Sequence, residues 1–360
     1  MSWPEHGAMP HALMKQLNQV RQDQPMDFSV NTNPLGPPDE LYHNMPKWVL
    51  LSTQYSEPSL QTIKQAISEA LNVKPGQVLP GNGGAELIYA AARLFQQKKV
   101  ILIEPTFTEY RKALEANQAF IVPIYVSESS EWKWSFEHIK IYLENADGVW
   151  ICNPNNPTGK AADQSELMKL LEYCKKKQKT LVVDEAFYDF QQEPFPFLAY
   201  TKNEYPVVQL RSLTKMFTIP GLRAGYMVAS ENVIHQLNRF FPPWNVNIVA
   251  EKAMSSVLHQ KQFVEHTVSF ISQERDRIKK ELDHHTSFYI FTADVNFFLL
   301  CHRDFRDTKE LLVFLAENNI HARHTYHFPK LEGKYIRLAV RTKPENDYLI
   351  DTLLRWNDKC

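Results

Sequence analysis

The chain has 360 residues, 44% of them hydrophobic, which is enough for one large domain with its own core and a second, smaller one. Its 40 basic and 41 acidic residues nearly cancel, so it lacks the field that draws a protein to nucleic acid or anionic membrane, and a small-molecule partner is expected. Cys152, Cys174, Cys301 and Cys360 lie far apart with no CxxC pair, which argues for reduced thiols over a disulfide framework or a metal site; with no leader pattern and no membrane-length apolar run, the expected location is the cytoplasm.

Residues 1–40 hold several prolines and little periodicity, as expected of an arm or loop that can reach a neighbouring subunit. A larger domain is expected over 41–250. Within it, Leu60 to Leu71 (LQTIKQAISEAL) has the apolar spacing of a helix, and Glu86 to Phe95 (ELIYAAARLF) predicts a second, more buried one. Helices then alternate with strands predicted at Val100 to Ile103, Phe120 to Tyr125, Gly148 to Cys152, Thr180 to Val183, Val207 to Leu210 and Gly225 to Ala229. Short, continuously apolar runs suit a sheet buried on both faces, so the fold class is α/β, a mainly parallel central sheet flanked by helices. Residues 251–360 change pattern: a long charged helix over about 262–284, the run Asn296 to Cys301, a helix near Lys309 to Asn318 and the run Tyr335 to Val340 predict a smaller C-terminal α+β domain.

The chemistry-bearing groups fall after the apolar runs, where an open α/β sheet binds its ligands. Asn156 follows Val149 to Cys152, Asp184 follows Leu181 to Val183, and Ser212 and Lys215 follow Val207 to Leu210. Arg223 comes eight residues after Lys215. Together these supply what pyridoxal 5'-phosphate needs: a lysine for the Schiff base, a serine and an arginine for the phosphate, a carboxylate for the pyridinium nitrogen and an amide for the phenolic oxygen. Each has a plainer reading alone, Lys215 as a solvated cation and Asp184 as a helix cap or structural ion pair; it is their combination that carries the argument. Gly81 to Ala85 (GNGGA) opens a helix and can offer backbone N–H groups to a phosphate. It nearly fits GxGxxG, but Glu86 stands at the sixth position, which weakens a dinucleotide reading. Ser212 and Lys215 also match S-x-x-K, yet the SDN and KTG strings of penicillin-recognising hydrolases are missing. Phe107 can stack on the pyridine ring or belong to the core. Arg323 and Arg337 offer planar forks for carboxylate or phosphate, and a pair of them suggests a doubly anionic substrate; structural ion pairing is their alternative.

These strings resemble the fold-type-I pyridoxal-phosphate enzymes of the class I/II aminotransferase superfamily over nearly the whole chain. DFSVNTNPLG (27–36), DEAF (184–187), LRSLTKMFTIPGLR (210–223) and PWNVN (243–247) are most similar to the L-threonine O-3-phosphate decarboxylases of cobalamin biosynthesis, which in turn resemble histidinol-phosphate aminotransferases. The resemblance implies that Lys215 links to the cofactor, Asp184 pairs with its ring nitrogen and Asn156 with its phenolic oxygen. It implies that Ser212, Arg223, Gly84 and Ala85 hold the cofactor phosphate, with Tyr55 reaching in from the second subunit of a homodimer. Arg337 would take the substrate carboxylate, while His6, Asn33 and Arg323 would lie near the substrate phosphate. Two departures stand out: His6-Gly7-Ala8 replaces the family's His-Gly-Gly, and Phe187 replaces the tyrosine of many aminotransferases, as it does in the decarboxylases. The expected activity is decarboxylation of L-threonine O-3-phosphate; the alternatives are transamination of histidinol phosphate or another phosphorylated amino acid, and a non-catalytic PLP-fold binding protein, against which the intact Lys215, Asp184 and Asn156 argue.

Overall fold

The computed structural model describes residues 3–19 and 25–359; Cys360 lies outside the described residues. Seven strands form the central sheet: β1 (Val78–Asn82), β2 (Lys99–Glu104), β3 (Phe120–Tyr125), β4 (Gly148–Cys152), β5 (Thr180–Asp184), β6 (Val207–Ser212) and β7 (Ala224–Val228), in the order β1-β7-β6-β5-β4-β2-β3. Only β7 runs antiparallel to its neighbours. Alternation along the strands explains the unbroken apolar runs. Val149, Ile151, Leu181 and Val183 enter one core cluster, while Trp150, Val182, Val208 and Leu210 enter another on the opposite face. Trp150 is fully buried, and truncating it to alanine is expected to cost about 3–5 kcal/mol.

Strand β1 is missing from the expectations because Pro80 sits in its middle. Proline donates nothing to a ladder, and β1 tolerates it as an edge strand with β7 on one side only.

The smaller sheet is antiparallel, β8 (Phe288–Ile290) beside β9 (Phe297–His302), then β11 (Ile336–Ala339) and β10 (Arg323–His324). The helix Lys261–His285 packs against it, burying Thr267, Ile271, Glu274, Ile278 and Leu282 as a stripe at three- and four-residue spacing. The described part of the N-terminal arm is also anchored on this chain. Met26–Asp27 pairs in parallel with Ile320–His321, and Trp3 stacks on Tyr326 with ring centroids 4.1 Å apart.

Candidate active site

The carboxyl ends of β4, β5 and β6, the start of the helix Gly83–Ala92 and the small sheet enclose a pocket of about 330 Å³. Eleven residues predicted from the sequence line it: His6, Gly84, Ala85, Phe107, Asn156, Asp184, Ser212, Lys215, Arg223, Arg323 and Arg337. A cleft of similar size, about 350 Å³, lies behind Phe190 and Arg275, but Lys133 there is paired with Asp163 and Lys160 with Thr292. The first pocket is distinguished by charges that have no partner of opposite sign among the described residues.

Lys215 is the first of these. Among the described residues its Nζ has no hydrogen-bond or ion-pair partner. Burial, reinforced by the charges of Arg337 and Arg223, lowers the amine to about 8. Asp184 is 4% exposed; its Oδ1 accepts from Ala186 N–H at 2.8 Å, and among the described residues no cation pairs with it. Burial pushes this carboxyl up to about 6, with the Ala186 N–H and the Tyr110 hydroxyl offsetting part of the rise. Behind it, Arg211 Nε donates to Glu185 Oε2 at 2.9 Å, so the neighbouring carboxylate has a cation of its own.

At the small-domain side, Arg337 is 5% exposed and donates from Nη1 to Asn156 Oδ1 at 2.5 Å and from Nη2 to the Ser29 carbonyl at 2.7 Å, while its Nε has no partner among the described residues. Arg323 donates to the carbonyls of Pro4, at 2.8 Å, and Glu5. Burial, helped for Arg337 by the Arg323 charge, lowers Arg337 to about 9 and Arg323 to about 10. Two desolvated guanidinium groups held only by neutral acceptors form a receptor for an anion.

Residues 5–8 form part of the wall of this pocket. His6 Nε2 lies 3.2 Å from Glu109, Glu5 pairs with Lys112 at 2.5 Å, and Ala8 N–H donates to Ser29 Oγ at 3.1 Å. Ala8 adopts φ +58°, where the family's glycine would be unstrained.

Two predicted residues lie elsewhere. Tyr55 is 85% exposed and rests beside Trp244, ring centroids 5.3 Å apart, outside the pocket. Asn33 does not line the pocket either; it bonds the loop carrying Lys215 and the helix Lys261–His285. Asn31 takes its place in the wall, 4% exposed with an unpartnered Nδ2. In an N-x-N string, spacing does not say which asparagine faces the ligand. Tyr110 and Phe328 in the wall were also missed, since each reads as core in an apolar context.

The sheet order, the lysine beyond β6 and the aspartate ending β5 define a pyridoxal-phosphate enzyme fold, and the chain belongs to the aminotransferase class I and II family, whose profile matches residues 23–353. It is 29% identical to the threonine-phosphate decarboxylase of Salmonella typhimurium over 93% of this chain and 92% of that one. Among solved structures it resembles the histidinol-phosphate aminotransferase of Clostridium acetobutylicum, with TM-score 0.87, 27% identity and coverage of 93% and 100% of the two chains. It also resembles the L-threonine-O-3-phosphate decarboxylase of Porphyromonas gingivalis, with TM-score 0.82, 25% identity and coverage of 92% and 99%.

Enzymes of this family use pyridoxal 5'-phosphate. The residues present fit it. Asp184 is a buried carboxylate in want of a cation, which a protonated ring nitrogen supplies. Gly83, at φ +78°, leaves no room for a Cβ because the Arg223 guanidinium occupies that space. Above Gly84 the nearest atom to an added Cβ is Ser212 Cβ at 3.9 Å, which leaves a gap between a helix N-terminus, a serine and an arginine where a phosphate can sit.

Proposed function

We propose that this enzyme decarboxylates L-threonine O-3-phosphate to an aminopropanol phosphate. The observation that carries the reading is the pair of buried arginines without carboxylate partners, facing the pocket that also contains an unpaired lysine. A substrate bearing both a carboxylate and a phosphate satisfies both.

In this reading residues 41–250 hold the cofactor and 251–360 supply Arg323 and Arg337, with residues 1–40 closing over the pocket. Asp184 keeps the ring nitrogen protonated, Asn156 holds the phenolic oxygen, and Ser212, Arg223 and the N–H groups of Gly84 and Ala85 hold the phosphate. Bound pyridoxal phosphate supplies an electron sink for whichever bond at the substrate Cα stands perpendicular to its ring. The protein chooses that bond. Arg337 grips the carboxylate and Arg323, with His6 and Asn31, the phosphate; fixing both ends sets the rotation about Cα. Lys215, with its amine lowered to about 8, is close enough to neutrality to release and regain a proton at Nζ and can deliver one to Cα. The strap from Trp3 to Ala8 keeps water from the mouth. Tyr55 is proposed to reach the cofactor phosphate of a second copy in a homodimer, working in the cytoplasm, where the free thiols of Cys152, Cys174 and Cys301 stay reduced.

Transamination of histidinol phosphate is the competing reading, because the resemblance to such an aminotransferase is as extensive as that to the decarboxylase. Incubation with L-threonine O-3-phosphate separates them. Sustained CO2 release with the cofactor spectrum retained is expected; conversion of the cofactor to its amine form without CO2 would replace the decarboxylase with the aminotransferase.

A further inference from the structure

The turn that presents Lys215 is held weakly by its own bonds. Within it, Phe217 N–H reaches Leu213 O at 3.3 Å, Thr218 N–H reaches Lys215 O at 3.4 Å, and Ile219 N–H reaches Thr214 O at 3.2 Å, all at the long end of the hydrogen-bond range. Apart from the Ser212 Oγ to Thr214 Oγ1 contact at 2.8 Å, the shorter bonds come from one residue far away in sequence. Asn33 donates from its backbone N–H to Lys215 O at 2.9 Å and from Nδ2 to Met216 O at 3.0 Å, and its own carbonyl accepts from Thr218 Oγ1 at 2.9 Å. Asn33 is itself fixed: Nδ2 also donates to Thr267 Oγ1 at 2.9 Å in the helix Lys261–His285, and Oδ1 accepts from Leu35 N–H at 3.0 Å. It is 2% exposed, and both its amide donors and its amide acceptor are used.

We infer that Asn33 is a positioning residue for Lys215: it clamps both ends of the turn from Lys215 to Thr218 and so fixes the backbone from which the Lys215 side chain reaches the cofactor and the substrate Cα. The inference rests on the assignment of Lys215 as the cofactor lysine. Lys215 Nζ has no polar partner of its own, so only its backbone anchoring and packing set where the amine sits. Misplacing a reacting group by about 1 Å costs up to about a hundredfold in rate. Asn33 also belongs to the segment that supplies Ser29 and Asn31 to the pocket, so one residue links the lysine side of the site to its substrate side.

Four variants of the full chain test this, each read by melting temperature, Kd for pyridoxal phosphate, the visible absorption of the lysine-bound cofactor, kcat and KM. N33A is expected to raise the cofactor Kd about tenfold, shift the absorption band and lower kcat by about 10–100-fold, with KM within about threefold because Arg323 and Arg337 keep their places. T267V removes the bond on the far side of Asn33; it is expected to lower the melting temperature while leaving Kd, band and kcat as in the parent, which separates loss of stability from loss of position. Should N33A not fold, T218V loosens the same clamp from the turn side and is expected to lower kcat about 2–5-fold with KM unchanged. Folded N33A with Kd, band and kcat within about twofold of the parent would overturn the inference, as would T218V with unchanged kcat. K215A guards the premise: if it retains the absorption band, the lysine assignment itself fails, whereas loss of the band in K215A beside an unaffected N33A removes only the clamp.

Discussion

Lys215 shows what desolvation does to a single amine. Burial, then the charges of Arg337 and Arg223, hold it at about 8 against 10.5 in ordinary solvent. Below that value the folded chain carries a confined ammonium that the unfolded chain hydrates freely. Between the two values the folded amine is neutral while the unfolded one keeps its proton, so the group's contribution to stability improves as pH rises. Lys215→Met, similar in length and without charge, is therefore expected to stabilise the cofactor-free protein by roughly 1–3 kcal/mol near pH 7 and by much less near pH 10.5. Urea midpoints of the two proteins at both pH values check this, and an equal gap at both would mean that the amine is not desolvated. Arg337 answers to geometry as well as charge. Arg337→Lys keeps the charge but loses the fork that bonds Asn156 and Ser29, and is expected to raise KM and lower kcat by roughly tenfold each. A rise in KM alone in steady-state kinetics would mean that Arg337 binds without orienting. Lys215, Asp184 and Ser212 were legible because each stands at or just beyond the end of an apolar run. Asn31 and Asn33 were not, because the choice between them depends on a turn whose partners lie some 180 residues or more away.

At the scale of elements, the ends of β5 and β6 are tied behind the pocket by Arg211, whose Nε meets Glu185 at 2.9 Å and whose guanidinium lies 3.4 Å above the Tyr188 ring. Burial works against the Arg211 charge, and Glu185, followed by Tyr226, Asp189 and Tyr188, more than offsets it. Buried pairs of this kind add little net stability over apolar groups of the same volume, while half a pair is costly. Arg211→Met alone is therefore expected to lose about 3–5 kcal/mol, and the double variant Glu185→Met/Arg211→Met to recover part of it, because Asp189, 3.6 Å from Arg211, still loses its cation. Thermal unfolding of the three proteins tests the coupling; a double variant as unstable as the single one would mean that the pair contributes directly. Elements with strong patterns were the ones readable from sequence: β3 and β4 fall on the predicted residues, and the helix Lys261–His285 extends the prediction by one residue at each end. The C-terminal helix Lys343–Asn357 is absent from the expectations although Thr342 and Glu345 form a capping box that announces its start. The helix Asp39–Leu50 had no such announcement; it buries only Leu41 and contains Pro46, so periodicity had little to register.

For the whole molecule, Tyr55 and the helix Asp39–Leu50 that precedes it in the chain expose several large apolar side chains to water. Tyr55 is 85% exposed, and Tyr42, Val49 and Leu50 on the helix Asp39–Leu50 are 69%, 51% and 74% exposed. Exposed apolar side chains of this size suit a surface that another molecule covers. If a second copy covers it and Tyr55 completes the partner's phosphate site, the two functions of a subunit can be separated. Tyr55→Ala is expected to weaken pyridoxal phosphate about tenfold by removing one hydrogen bond to a charged group. Lys215→Ala leaves no lysine to bind the cofactor. A dimer assembled from one subunit of each kind contains one site with both defects and one with neither, because the lysine comes from one chain and the tyrosine from the other. At a pyridoxal phosphate concentration too low to load Tyr55→Ala, co-refolding the two proteins should therefore restore activity to about a quarter of the parent value, the share expected if half of all dimers are mixed and each has one intact site. Tyr55 acting within its own chain would leave no mixed dimer with an intact site, and the mixture would be no more active than its components.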